Sequence, residues 1–317
     1  MIDFRYHLVS LIAVFLAVAL GIVIGTTQLN GPLTDNLQTQ VTALQEDKRS
    51  LEDQTQLLQT QLDDGGRFDE AVGPTLVANT LTGRSVVLVV ATPDLDTEVA
   101  EGVTALLGAA GATVTGTVRL TDTYADASGD STLESYLAGP GVPVSVTRPE
   151  TDDMGELLAS VLAQVLMVPG ADSPEAGVAP STTDTSTVLA GLEELEVLSQ
   201  ETSSVSPADF AVVLTTGVLA GEDTETRAAA LVELATALDA EGSGAVVAGD
   251  LASAGDGGVL AAVRSDQSAT AALSTVDNVT TPAGRISTVL ALATEATGTS
   301  GEYGVGEDTQ PVPQPAS

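Results

Sequence analysis

Val86-Val87-Leu88-Val89-Val90-Ala91 is the stretch on which the fold turns. Six apolar residues stand in a row, four of them β-branched, with no apolar/polar alternation. A strand built from them must be covered on both faces, as in a parallel sheet. Thr92-Pro93-Asp94 follows and reads as an N-cap with proline at the first helical position. Asp94, Asp96 and Glu98 sit where the positive end of a helix dipole favours acids. The same three acids offer the oxygens a hard cation prefers, although a helix start accounts for them without one. A helix to about residue 110 and a strand over 113–118 complete a strand–helix–strand unit.

Further along, residues 154–200 read as helical and rich in Ser and Thr, interrupted by a loop over 169–187. A strand is expected over 210–215, a helix over 226–238, a strand over 245–248, a short strand or helix over 259–263 and a final helix over 286–296. Such alternation predicts an α/β domain over 67–304, with a mostly parallel sheet flanked on both faces by helices. The Gly-rich stretch 249–258 holds Asp250 and Asp256 just after a strand. It would either cradle a phosphate or calcium at the carboxyl edge of the sheet or be an ordinary flexible loop. Residues 305–317 carry Pro311, Pro313 and Pro315 and predict a disordered tail.

Toward the N-terminus the period changes. Leu37, Leu44, Leu51 and Leu58 recur every seven residues, with Val41, Lys48, Thr55 and Leu62 at the other apolar-seam positions. This heptad pattern predicts a coiled-coil helix over 33–64 and a homodimer or higher oligomer built on it, most simply a parallel dimer. A lone amphipathic helix folded back onto its own domain would need the same stripe. Gly31-Pro32 predicts a break before the stalk, and Asp63-Asp64-Gly65-Gly66 an end after it.

Residues 8–24 contain one polar side chain, Ser10, and as a helix extend about 25 Å. This predicts a transmembrane helix over 8–25 behind a short tail, 1–7. A signal peptide cut near Ala19-Leu20-Gly21 is the competing reading. Arg5 and the free amine precede the span, and no Lys or Arg follows it until Lys48. That asymmetry predicts a cytoplasmic N-terminus and export of the remainder to the cell envelope. Ala13, Ala17, Gly21 and Gly25 place a small residue at every fourth position, which lets a second helix approach closely and points again to self-association.

Composition narrows the function classes. With 44 acidic against 10 basic residues the formal net charge is −34, which argues against nucleic-acid binding. There is no Cys, so disulfides and thiolate chemistry are excluded. His7 is the only histidine, so a Ser-His-Asp or Cys-His arrangement cannot be built in the globular part. No Gly-x-Gly-x-x-Gly follows residues 86–91, no Walker-type loop occurs, and no cofactor site is identified. The softer metal donors amount to His7, Met1, Met154 and Met167. Eight aromatic residues and no Trp scarcely furnish the girdles of a membrane β-barrel.

One run at the N-terminus, Ile2-Asp3-Phe4-Arg5-Tyr6-His7-Leu8-Val9-Ser10, continues to Gly21-Ile22-Val23-Ile24-Gly25. Leu81-Thr82-Gly83-Arg84 leads into the first strand. Ser274-Thr275-Val276-Asp277-Asn278 is followed by Gly284-Arg285 and then Tyr303-Gly304. In this order and spacing, over nearly the whole chain, these stretches resemble the MctB family of mycobacterial-type copper transport proteins. The resemblance implies a non-enzymatic envelope protein that limits intracellular copper, with copper as the transported species and with pore-like activity. It singles out Asp277, Asn278, Gly284, Arg285 and Tyr303 as site candidates. Those residues also read as a turn shaped by Pro282 and Gly284, with Arg285 anchoring a carboxylate. Two other functions remain open: a coiled-coil scaffold for another envelope protein, and a carboxylate-dependent enzyme acting on an envelope polymer.

Overall fold

The computed structural model describes residues 4–125, 131–139, 141–151, 153–171, 173, 176, 178–221 and 223–313, with only the backbone course given for 26–36 and 125. The chain divides into two compact units, Met1–Gly65 and Gly66–Ser317. One helix, α1 (Phe4–Leu76), supplies the described part of the first unit and opens the second.

Within α1 the segment Phe4–Gly25 is 22 residues long and apolar enough to cross a bilayer core. The helix runs on through Gly31 and Pro32, where a break was expected. It also passes Gly65 and Gly66, where the heptad repeat stops. Two glycines cost a helix about 1 kcal/mol each, and tertiary packing within the second unit offsets them. Gly66 lies beside Pro282, a Cβ at Gly73 would come within 3.0 Å of Ile286 Cδ1, and Val77 is fully buried. Leu37, Val41, Leu44, Leu51, Leu58 and Leu62 are all exposed along the seam.

The second unit continues with β1 (Ser85–Val90), α2 (Thr97–Ala109), β2 (Thr113–Leu120), α3 (Asp122–Ala125), α4 (Ser131–Ala138), α5 (Met154–Leu166) and α6 (Thr182–Glu194). Next come β3 (Leu198–Gln200), β4 (Phe210–Leu214), α7 (Thr224–Glu241), β5 (Ala245–Ala248), α8 (Val259–Ser265), α9 (Gln267–Ala272), β6 (Ser274–Val276), α10 (Pro282–Glu295) and β7 (Glu302–Tyr303). The described strands form one sheet in the order β3-β2-β1-β4-β5-β6-β7. All neighbours are parallel except β2 and β3. The period of two sorts β1 between two cores. Val87 and Val89 face a cluster with α4 to α8, whereas Val86, Leu88 and Val90 face α2 and α10. The expected α/β sheet covered on both faces is therefore present.

Several local expectations differ from what is found. The cap of α2 is Asp96, which accepts from Glu98 N at 3.0 Å, not Thr92. The Thr92 hydroxyl is engaged elsewhere, accepting from Thr216 N at 2.9 Å. Helix α6 begins inside the expected 169–187 loop, capped by Ser181, and β3 falls at the end of the stretch read as helical. Residues 259–263 are helical. The segment 305–313 is tied down where a free tail was expected: Gln310 N donates to Glu302 O and Gly304 N to Gln310 O, both at 2.9 Å. Residues 314–317 of that expected tail lie outside the described residues.

Candidate functional site

Sheet order reverses between β1 and β4, since β2 lies on one side of β1 and β4 on the other. Just past the carboxyl ends of these strands stand Thr92, Thr215, Thr216 and, after β5, Asp250. Asp250 accepts from Thr216 Oγ1 at 3.0 Å, Gly217 N at 2.9 Å and Ser253 N at 2.8 Å. Burial alone would raise its pKa, but the bonds from Gly217, Ser253 and Thr216 together hold it below the usual carboxylate range. The Gly-rich loop beyond is folded upon itself. A Cβ at Gly249 or Gly258 would overlap Ser253, and Gly255 N and Gly258 N donate to loop carbonyls. Those amides are spent inside the loop, which favours the ordinary-loop reading over a phosphate cradle.

A denser arrangement surrounds Asp277 at the carboxyl end of β6. Its side chain is fully buried and receives Arg264 Nη1 at 3.1 Å, Val305 N at 2.7 Å and Gly306 N at 3.2 Å. Arg264 also donates to Thr275 Oγ1 at 3.0 Å and Tyr303 O at 3.3 Å, and stands 3.6 Å from Glu302. Asp277 N donates to Tyr303 O at 3.2 Å. At Gly304, φ is +136° and a Cβ would overlap the Asp277 carboxylate, so only glycine lets the chain close here.

Asn278 shapes the turn into α10. Its carbonyl accepts from Thr281 N at 2.9 Å and Thr281 Oγ1 at 2.8 Å, and Thr281 in turn caps α10 through Gly284 N at 3.1 Å. A Cβ at Gly284 would overlap the Asn278 carbonyl, and the Asn278 Oδ1 is buried without a partner. Asp277, Asn278, Gly284 and Tyr303 are thus brought together. Arg285 is not: its stem lies against Gly102 of α2 and its guanidinium is 3.8 Å from Glu70. Sequence reasoning missed Arg264 and Thr281. The signal for Arg264 was its rarity as one of 10 basic residues in an acidic chain.

At the amino edge of the sheet a cavity of about 500 Å³ is lined by Arg84, Phe210, Asp239, Gly244 and Glu295, among others. Burial pushes the Glu295 carboxyl up to about 7, with a further rise from Asp239, against bonds from Ser274. Burial likewise lifts Asp239 to about 6, against a bond from Ala245 N at 3.0 Å. Glu295 Oε1 has no hydrogen-bond partner.

Among the described residues no three His, Cys, Asp or Glu gather in a way that would hold a metal ion. Met167 is buried in the core of the second unit and Met154 packs against that core, at opposite ends of α5, while His7 lies on α1 in the first unit. Over residues 1–313 the sequence matches the family described as copper transport outer membrane protein, MctB. The chain belongs to the MctB family. Among MctB relatives, the copper transporter MctB of Mycobacterium tuberculosis (strain ATCC 25618 / H37Rv) is 33% identical over 315 residues, covering 98% of this chain and 99% of the relative. The copper transporter MctB of Mycobacterium leprae (strain TN) is 32% identical over 329 residues, covering 99% and 100%. The MctB match embraces α1, the sheet and the segment tied to Asp277. In this member the described sheet is open, with β3 and β7 at its edges, and its strands run from 2 to 8 residues. A membrane-spanning strand needs about 9–11 residues, whereas Phe4–Gly25 has the length and apolarity of a membrane-crossing helix.

Proposed function

We propose that this chain is a membrane-anchored envelope protein that takes part in copper transport and copper tolerance without catalysing a reaction. The full-length relationship to proteins named copper transporters carries this reading. Phe4–Gly25 is the anchor, with the N-terminus cytoplasmic and the α/β unit exported, in keeping with the charge asymmetry across the span. Helix α1 joins copies of the chain through Leu37, Leu44, Leu51 and Leu58, aided by Ala17, Gly21 and Gly25 in the span. Copper is cargo of the assembly rather than a ligand stored in the α/β unit, given how widely the soft donors are dispersed.

Within the α/β unit, Asp277, Asn278, Gly284 and Tyr303 act as positioning residues. They hold residues 302–310 at the carboxyl edge, and Arg285 fixes α10 on α2. The deciding experiment is growth of a deletion strain across graded copper, complemented by the full chain or by the chain ended after Asp64. Sensitivity rescued by the full chain alone supports the reading; a deletion strain with unchanged copper tolerance overturns it. A second reading, an adaptor for another envelope protein, is favoured by the exposed heptad face. It predicts a partner that co-purifies with the native chain and is lost from a Leu44→Asp/Leu51→Asp variant.

A further inference from the structure

We infer that α1 pairs with α1 of a second copy in parallel and in register, and that the single charged layer at Lys48 fixes this alignment; the inference rests on the self-association reading above. The seam is exposed, with Leu44, Leu51 and Leu58 at 68%, 62% and 59% of full exposure, so its apolar area is available to a partner helix. Three observations choose the occupant and its orientation.

First, the same helix carries the span, Phe4–Gly25, and the seam, and it is continuous between them. Two copies leaving one membrane face bring their seams side by side in the same direction. An antiparallel pair would require one of the helices to reverse.

Second, the polar seam positions match only in register. In a parallel in-register pair Lys48 meets Lys48 and Thr55 meets Thr55, while every Leu meets Leu. Full antiparallel overlap sets Lys48 against Leu51 and Thr55 against Leu44, each twice, so polar groups are desolvated beside leucine in four layers. A one-heptad stagger sets Lys48 against Val41 or Thr55. Burying a polar group against an apolar one without a partner is the costlier arrangement, and a lone polar residue in the seam is a known determinant of register.

Third, the flanking positions leave this choice to one layer. Gln38, Gln40, Gln45, Gln54, Gln59 and Gln61 are neutral, whereas Asp47 and Glu52 bracket Lys48. Lys48 Nζ already lies 3.2 Å from Glu52 of its own helix. In register, each Lys48 also comes beside Asp47 of the partner copy, so two ammonium groups share four carboxylates in one layer.

The test exploits a chain without Cys. Full-length chains in detergent carry a single Cys, Leu44→Cys or Leu58→Cys, and are oxidised mildly. In-register parallel pairing predicts a disulfide-linked dimer from each. Antiparallel overlap places residue 44 opposite 55 and residue 58 opposite 41, and links neither. A chain that is dimeric by light scattering but does not cross-link overturns the inference alone; a monomeric chain overturns the self-association reading with it. Mixing Leu44→Cys with Leu51→Cys chains then reports the one-heptad stagger. That product should be minor with Lys48 present and rise several-fold when both chains also carry Lys48→Leu. An equal yield with and without Lys48 would remove this residue from the alignment.

Discussion

Glu295→Gln should make the folded protein more stable at pH 8 while changing little near pH 4. An exposed Glu ionises near 4.5, but burial holds the folded Glu295 protonated up to about 7. Between those values the folded chain binds the extra proton, so stability falls as pH rises through the window. Below it both states carry the proton, and above it the penalty is complete. A shift from 4.5 to about 7 corresponds to roughly 3 kcal/mol as an upper figure. For a unit of this size that is about 6–12 °C in melting temperature. Gln keeps the shape and cannot ionise, at a cost of about 1 kcal/mol if its new N–H lacks an acceptor. Asp239, raised to about 6 in the same cavity, leaves a smaller decline at lower pH that Asp239→Asn should remove. Arg84 also lines this cavity. Calorimetry of the full chain in detergent, at fixed ionic strength from pH 4 to 8, reads the effect. A wild-type melting temperature that is flat over that range, or a variant with the wild-type slope, refutes the reasoning.

Other substitutions probe the remaining features. Asp277→Ala removes the buried acid paired with Arg264, leaving it Glu302 at 3.6 Å, and frees two backbone amides, so denaturant midpoints should report a loss of about 3 kcal/mol. Limited proteolysis of the same variant should cut between residues 304 and 313 far faster than in the native chain. Thr281→Ala removes the α10 cap and should cost about 1 kcal/mol by the same denaturation assay. Gly102→Leu forces the Arg285 stem off α2, and circular dichroism melting should show a drop of several degrees.

The run Val86–Val90 announced its strand because both faces of the sheet are covered and each of its side chains had to be apolar. The leucine heptads marked a helix by a different signal, a long uninterrupted period, and α1 is continuous through them. What escaped reading was set by partners distant in sequence. Strand β6 is Ser-Thr-Val and β7 only two residues, too short for any period, and both exist because neighbouring strands supply their bonds. Thr92 resembled a cap, but its hydroxyl answers to Thr216, 124 residues away. The Asp277 motif pointed to the right place without revealing why: its cation comes from Arg264 on α8 and its amides from Val305 and Gly306. Gly65-Gly66 misled because intrinsic helix propensity is a weak prior that packing at Gly66, Gly73 and Val77 overrides; the helix also continues through Gly31-Pro32.

The bonds from Val305 and Gly306 to Asp277 also set a timetable. The carboxylate lies 28 residues before the first of those amides, so its site is incomplete until the later segment has folded back onto β6. Before that step β6 has no completed edge, and an acid destined for a dry site has Arg264 beside it but neither amide. Closure of this edge therefore follows formation of β6 and α8. A tag or deletion placed among residues 302–313 acts on this edge and its buried carboxylate, whereas a tag or internal deletion within residues 33–64 leaves the sequence of the α/β unit untouched.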